Sequence, residues 1–221
     1  MFHLLRIVMP DRPGALGEVA SAIGMAGGDI VGVEVVEHRA DGFAVDDFTL
    51  DPPPGRVADA LVSACTPLDR VEVEFVGPYA AGGNLQRDLE AIEVMTEDPQ
   101  RAETVLVDLL PGVFPGSWGL LLEQRPDGTV AVASATPGAP ATEGFTPPWL
   151  PLSRATRVLA DPSWAPPSWH DVIAAIAPLD APTRVVVAGR NGGPETLDSE
   201  VMRLAHLASL ASTVRRVGRI E

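Results

Sequence analysis

The stretch Asp11-Arg12-Pro13-Gly14-Ala15-Leu16-Gly17-Glu18 has the residue types and spacing that point most directly to ligand chemistry. It follows an apolar segment and opens a helical pattern. Pro13 presets φ for a first helical position and removes an N–H that has no partner there. Gly14 leaves room for a group to approach the backbone at a helix N-terminus, where free N–H groups and the dipole favour an anion. Asp11 can accept from those N–H groups or face a cationic group. Thirteen residues after Gly14 comes Gly27-Gly28-Asp29-Ile30, which stops the helix and starts a strand.

Other constellations have plainer readings. Gly189-Arg190-Asn191-Gly192-Gly193-Pro194 lies between a strand and a helix but matches neither G-x-G-x-x-G nor the P-loop, so it reads as a tight connection. Gly116-Ser117-Trp118-Gly119 lacks the first glycine of a nucleophile elbow and precedes a strand. Asp46 and Asp47, with Glu34 and Glu37 nearby, could suggest a cation site, but adjacent strand residues point to opposite faces and cannot readily share one ion, so they read as a solvated sheet surface. His3, His38, His170 and His206 have no metal-ligand spacing, and Cys65 sits on an apolar helix face as core. Trp149, Trp164 and Trp169 among prolines read as the cover of a small core, with a ligand pocket as the competing reading.

The run of strand, DRPGAL, amphipathic helix, GGDI and strand resembles the ACT domain, a small-molecule-sensing module, over residues 2–76. The resemblance implies a ligand, often an amino acid, at an interface between two paired domains. By position it implies Asp11, Pro13, Gly14, Leu16, Asp29 and Ile30 as ligand-facing residues. Asp11 and Asp29 would take the ammonium group, and backbone N–H groups near Gly14 the carboxylate.

The elements that must position these residues follow from periodicity. Residues 3–9 read as a strand, and 14–26 as a helix with Leu16, Val19, Ala20 and Ile23 on its core face. Residues 30–38 form a strand with Val31, Val33 and Val35 on one face; an Asp41-Gly42 turn then leads into a paired strand over 43–50. A helix ending near Cys65 and a strand over 70–76, with Val71, Val73 and Phe75 inward, complete βαββαβ, the ferredoxin-like plan.

Periodicity stops in the glycine-rich stretch 79–85, which reads as a linker between a domain over 1–78 and a second over 86–221. Helices are expected over 85–96 (stripe Leu85, Leu89, Ile92) and 100–110, and a Pro126-Asp127-Gly128 turn predicts a hairpin of 117–124 with 129–135. A proline-rich loop over 137–151, a strand over 153–159, a helix over 171–177 and a strand over 183–189 follow. The closing helix over 195–217 has two apolar faces, one with Val201, Leu204, Ala205 and Ala208 and the other with Leu207, Leu210, Val214 and Val217. The second face is expected to pack on a neighbour. The hairpin and the closing strand, glycine break and apolar helix resemble a GAF domain, which implies an antiparallel sheet with a long terminal helix. The expected class is therefore α+β: an ACT-type ferredoxin-like domain followed by a GAF-like domain.

Thirty acidic against sixteen basic residues give a net charge of −14, which argues against nucleic acid and anionic membrane as partners. Every basic residue is arginine, so Schiff-base, P-loop and kinase lysines are excluded. A single cysteine excludes an internal disulfide or a multi-cysteine zinc site, and no cysteine in the second half can attach a bilin. No basic leader or membrane-length apolar run is visible, so a soluble cytoplasmic protein is expected. These features predict a non-catalytic, cofactor-free homodimer that binds a small molecule. The alternatives are a regulatory subunit of an amino-acid-metabolic enzyme and a pairing module without a ligand.

Overall fold

The computed structural model describes residues 2–51, 59–78, 83–114, 117–192 and 195–219. The chain divides into two compact units, 1–83 and 84–221.

In the first unit, β1 (His3–Pro10), α1 (Ala15–Met25), β2 (Asp29–His38), β3 (Phe43–Asp51), α2 (Asp59–Cys65) and β4 (Glu72–Pro78) follow the expected βαββαβ order. The four strands form an antiparallel sheet in the order β2-β3-β1-β4, which leaves β2 and β4 as edges. The β2–β3 hairpin closes at Asp41-Gly42. Gly42 has φ +84°, a conformation that an L side chain rarely adopts. Leu5, Ile7, Met9, Phe48 and Leu50 from the sheet meet Ala15, Val19 and Ile23 of α1 and Leu61 and Cys65 of α2.

Three details differ from the periodicity. The buried stripe of α1 is Ala15, Val19, Ala22 and Ile23, and Leu16 stands outside it at 41% exposure. A bulge in β4 shifts the register between Arg6/Phe75 and Ile7/Val73. An extra residue reverses the in-out alternation beyond it, so Val73 and Val76 pack on the core while Phe75 does not. Its ring lies instead over Gly77, where a Cβ would come within 2.7 Å. Asp46 and Asp47, expected on a solvated surface, are both buried. Asp47 accepts two hydrogen bonds from the Arg6 guanidinium, at 2.7 and 2.8 Å.

The second unit comprises α3 (Gly83–Glu97), α4 (Ala102–Val113), β5 (Trp118–Gln124), β6 (Val130–Ala135), β7 (Thr156–Leu159), β8 (Val172–Pro178), β9 (Arg184–Asn191) and α5 (Asp198–Val217). Of the stretch expected as a linker, 79–82 lie outside the described residues and 83–85 are helical. The five strands form an antiparallel sheet in the order β6-β5-β9-β8-β7. With the long terminal helix, this is the GAF-like architecture that the resemblance implies.

Residues 172–178, expected as helix, are a central strand. Val-Ile-Ala-Ala-Ile-Ala is buried on both faces, so its composition carries no strand alternation. Ala175 and Ala177 face the helices, and their small size lets α5 lie close. Val172 and Ile176 face the other way. Gly119 serves the same end on β5, since a Cβ there would sit 2.7 Å from the Val107 carbonyl oxygen of α4.

Glu103 of α4, buried in the helical layer, meets Arg184 of β9 at 2.8 Å and also pairs with Arg215 of α5. Burial pushes its carboxyl up, and Arg215 and the Ser212 hydroxyl pull it back. The α3 stripe is Ala91, Met95 and, as expected, Ile92, with Leu85 and Leu89 exposed: Asp88 turns inward to accept from Arg203 of α5. On α5, Leu207 and Val214 join the unit's own core, leaving Leu210 and Val217 of the expected second face exposed.

The opposite face of this sheet carries the aromatic residues. Trp118, Phe145 and Trp169 are buried with Leu150 and Leu152, and Trp149 and Trp164 pack against them. This is the core-covering reading of the tryptophans.

Candidate functional site

The site grows from the turn between β1 and α1. Asp11 donates its backbone N–H to the Gly42 carbonyl at 2.9 Å, which ties the turn to the β2–β3 hairpin. Arg12 reaches forward to Glu18 with two 2.9 Å hydrogen bonds. That contact holds the Glu18 carboxyl below the usual carboxylate range.

Pro13 is not the first helical residue. Gly14 is the N-cap at φ +93°, and Pro13 stands before it in the turn. Only glycine takes that φ without strain. No side chain caps the helix, and nothing lies within 4 Å of the place where a Gly14 Cβ would be. The N-terminus of α1 thus has open space beside it, where N–H groups and the dipole favour an anion.

Asp11 does not cap the helix either. Its Oδ2 lies 2.8 Å from His38 Nδ1, at the far end of β2. The register explains the meeting: His38 pairs with Ala44, and Ala44 with Met9, two residues before Asp11. One row inward on the same face, Asp46 stands opposite Ile7 and Val35. Asp46 is 3% exposed, and its Oδ1 has no hydrogen-bond partner. Burial pushes its carboxyl above the usual range; His38 opposes the shift, and Asp47 and Asp11 add to it. Reading the strand as a solvated surface missed this group. The signal lay in the strand parity, which places Asp46 with Phe48 and Leu50.

Asp29 and Ile30 are elsewhere. Asp29 opens β2 opposite Asp51, so the length of the strand puts it roughly 25 Å from the Asp11 turn. The structure therefore brings together Asp11, Pro13, Gly14 and Leu16, and within one chain it separates them from Asp29 and Ile30. Along the edge strand between the two ends, Val31, Val33 and Val35 are exposed, the last at 51%.

Residues 3–64 match the ACT domain family model. An ACT domain thus occupies the N-terminal segment, and it suggests a regulatory, small-molecule-binding role. No curated protein matches the sequence. Among solved structures, the chain is similar to the free methionine-R-sulfoxide reductase of Neisseria meningitidis in complex with its substrate. That match has 12% identity and a TM-score of 0.49, over 65% of this chain and 96% of the reductase. It is also similar to a bacteriophytochrome of the photosynthetic bacterium R. palustris, at 9% identity and a TM-score of 0.45, over 84% of this chain and 42% of that one. Likeness of this size does not extend to the chemistry of either relative. Among the described residues, no helix is long and apolar enough to cross a membrane.

Proposed function

We propose that the protein is a non-catalytic sensor whose ACT domain binds a free α-amino acid between two copies of the chain. The observation that carries this reading is the uncapped α1 N-terminus at Gly14 beside the Asp11 carboxylate. A zwitterion needs a partner of opposite sign at each end, and this turn carries both.

The separation of Asp29 from Asp11 gives the second copy its part. Two chains related by a twofold axis would pair β2 with β2 antiparallel, which sets the Asp29 end of each strand beside the His38 end of the other. Asp29 and Ile30 of one copy would then approach the Asp11 turn of its partner, and the exposed valines would be covered along the seam. Binding at such a shared site favours the paired arrangement by its differential affinity, and the second unit is read as the GAF-like module that carries the output.

A thermal-shift screen of the twenty amino acids tests the reading, followed by calorimetry on any that stabilise. A ligand at a hundred times its Kd stabilises by about 2.7 kcal/mol. The valine edge would serve a pairing module equally well without a ligand. If no amino acid binds an assembled dimer, that second reading replaces the first.

A further inference from the structure

A cavity of about 970 Å³ lies in the second unit, where residues 160–171 connect the end of β7 to the start of β8. That volume is at the upper end of what a small-molecule site encloses. Leu159 and Ile173, register partners on β7 and β8, form one part of its wall. Pro162, Pro166, Pro167 and the Trp169 ring form another. Leu159 is 68% exposed, so the apolar wall is open to solvent. Prolines fix the shape of the connecting segment in advance, which lowers the ordering cost of binding.

The lining is short of hydrogen-bond donors. The three prolines have no N–H. Those of Ala160, Ala165, Trp169, His170 and Gly192 each go to a carbonyl within the unit, at 2.9 to 3.1 Å. The Trp169 indole N–H is given to the Ala141 carbonyl. Among the described residues, no arginine, serine or threonine lines the cavity, and the His170 ring is set against Asp171 at 3.2 Å. Acceptors are present instead, as the exposed carboxylates of Asp161 and Asp171. Hydrogen bonds from Ser163, one of them from its backbone N–H at 2.8 Å, hold the Asp161 carboxyl below the usual range. A phosphate or carboxylate ligand would meet this negative rim with no free donor to receive it.

We propose that this cavity is a second binding site and that it takes an apolar amine, a molecule with a hydrocarbon or aromatic body and a cationic head. The body covers Leu159, Ile173 and the proline wall, and the head lies at the carboxylate rim, where it brings the donors that the lining lacks. An aromatic wall such as Trp169 also favours a cation over an anion. The site shares no residue with the β1–α1 turn, so it stands or falls apart from the amino-acid reading of the first unit.

The test titrates the full-length protein with phenethylamine, phenethyl alcohol and hydrocinnamate, which share one body and carry a positive, a neutral and a negative head. Binding is followed through the methyl NMR signals of Leu159 and Ile173 and through tryptophan emission. Phenethylamine is expected to saturate these methyl shifts with a Kd about fivefold or more below that of the alcohol, and hydrocinnamate to bind most weakly. The double variant Asp161→Asn, Asp171→Asn keeps both turns, because asparagine still accepts the Ser163 N–H and tolerates the φ of +59° at position 171. It should bring the amine down to the affinity of the alcohol. Leu159→Arg, at an exposed position, should weaken the amine about tenfold or more by placing a like charge at the site. Equal affinity for amine and alcohol in the wild type, tighter binding of hydrocinnamate, or an amine preference that survives the double variant overturns the proposal. So does an amine that binds without moving the Leu159 and Ile173 signals, or that shows no saturation in the millimolar range.

Discussion

Replacing Asp11 with alanine removes a carboxylate from the candidate turn and leaves the helix unharmed, because that side chain does not cap it. The expected loss is one charge-assisted hydrogen bond, about 1.5–3 kcal/mol, or a tenfold to hundredfold weaker amino-acid Kd by calorimetry. Gly14→Val acts by another route: it forces a β-branched residue into φ +93° and fills the open space at the helix end. Binding should vanish rather than weaken. Asp46→Asn has a signature in stability. Burial raises the Asp46 carboxyl in the folded chain, so the folded state holds that proton more tightly than the unfolded state does. Stability therefore falls as pH rises through the raised range. The asparagine variant should melt at a higher temperature than wild type at neutral pH, with the difference shrinking as the solution is acidified. A pH-independent difference in calorimetric Tm would contradict this.

At the scale of elements, buried staples and close approaches hold the second unit together. Glu103→Ala leaves Arg184 and Arg215 facing a vacated buried position and should cost about 3–5 kcal/mol in chemical denaturation. Gly119→Val drives β5 away from α4 and should cost about 1–3 kcal/mol by the same measurement. These features were unequally legible in the sequence. Both hairpins could be read because Asp41-Gly42 and Pro126-Asp127-Gly128 state their turn chemistry locally, and the ACT pattern pointed to the β1–α1 turn as the candidate site. The strand β8 could not, because alanines chosen for the approach of α5 look like helix formers when their neighbours are unknown. Phe75 was misplaced by a bulge, which is a property of pairing and not of either strand alone. The resemblance groups Asp11 with Asp29 by position in the sequence, and that position does not say that the two stand at opposite ends of β2. Asp46 reads as surface while its strand is taken for a solvated face, although its parity with Phe48 and Leu50 puts it inward.

The whole molecule carries an exposed apolar strip on each unit: Val31, Val33 and Val35 on β2, and Leu210 and Val217 on α5, with Leu85 and Leu89 on α3. A homodimer that buries both strips is expected at tens of micromolar in sedimentation. Val35→Arg should weaken it and also abolish amino-acid binding, because the shared site comes apart. Leu210→Arg should weaken association while leaving the ligand turn intact, so that binding recovers when the protein is concentrated enough to pair. A monomeric wild type would refute both.

The aromatic face of the second unit has one more consequence. Trp118, Trp149, Trp164 and Trp169 are all the tryptophans of the chain. Their rings touch one another or Phe145 at centroid distances of 4.3 to 6.3 Å. The ACT domain has no indole, so tryptophan emission comes wholly from the other unit. Tryptophan emission is blind to events at Gly14 unless they are transmitted. A change in emission on adding an amino acid that calorimetry assigns to the first unit would be a direct optical record of one unit informing the other. Silence under saturating amino acid would show a sensor whose message leaves by another route.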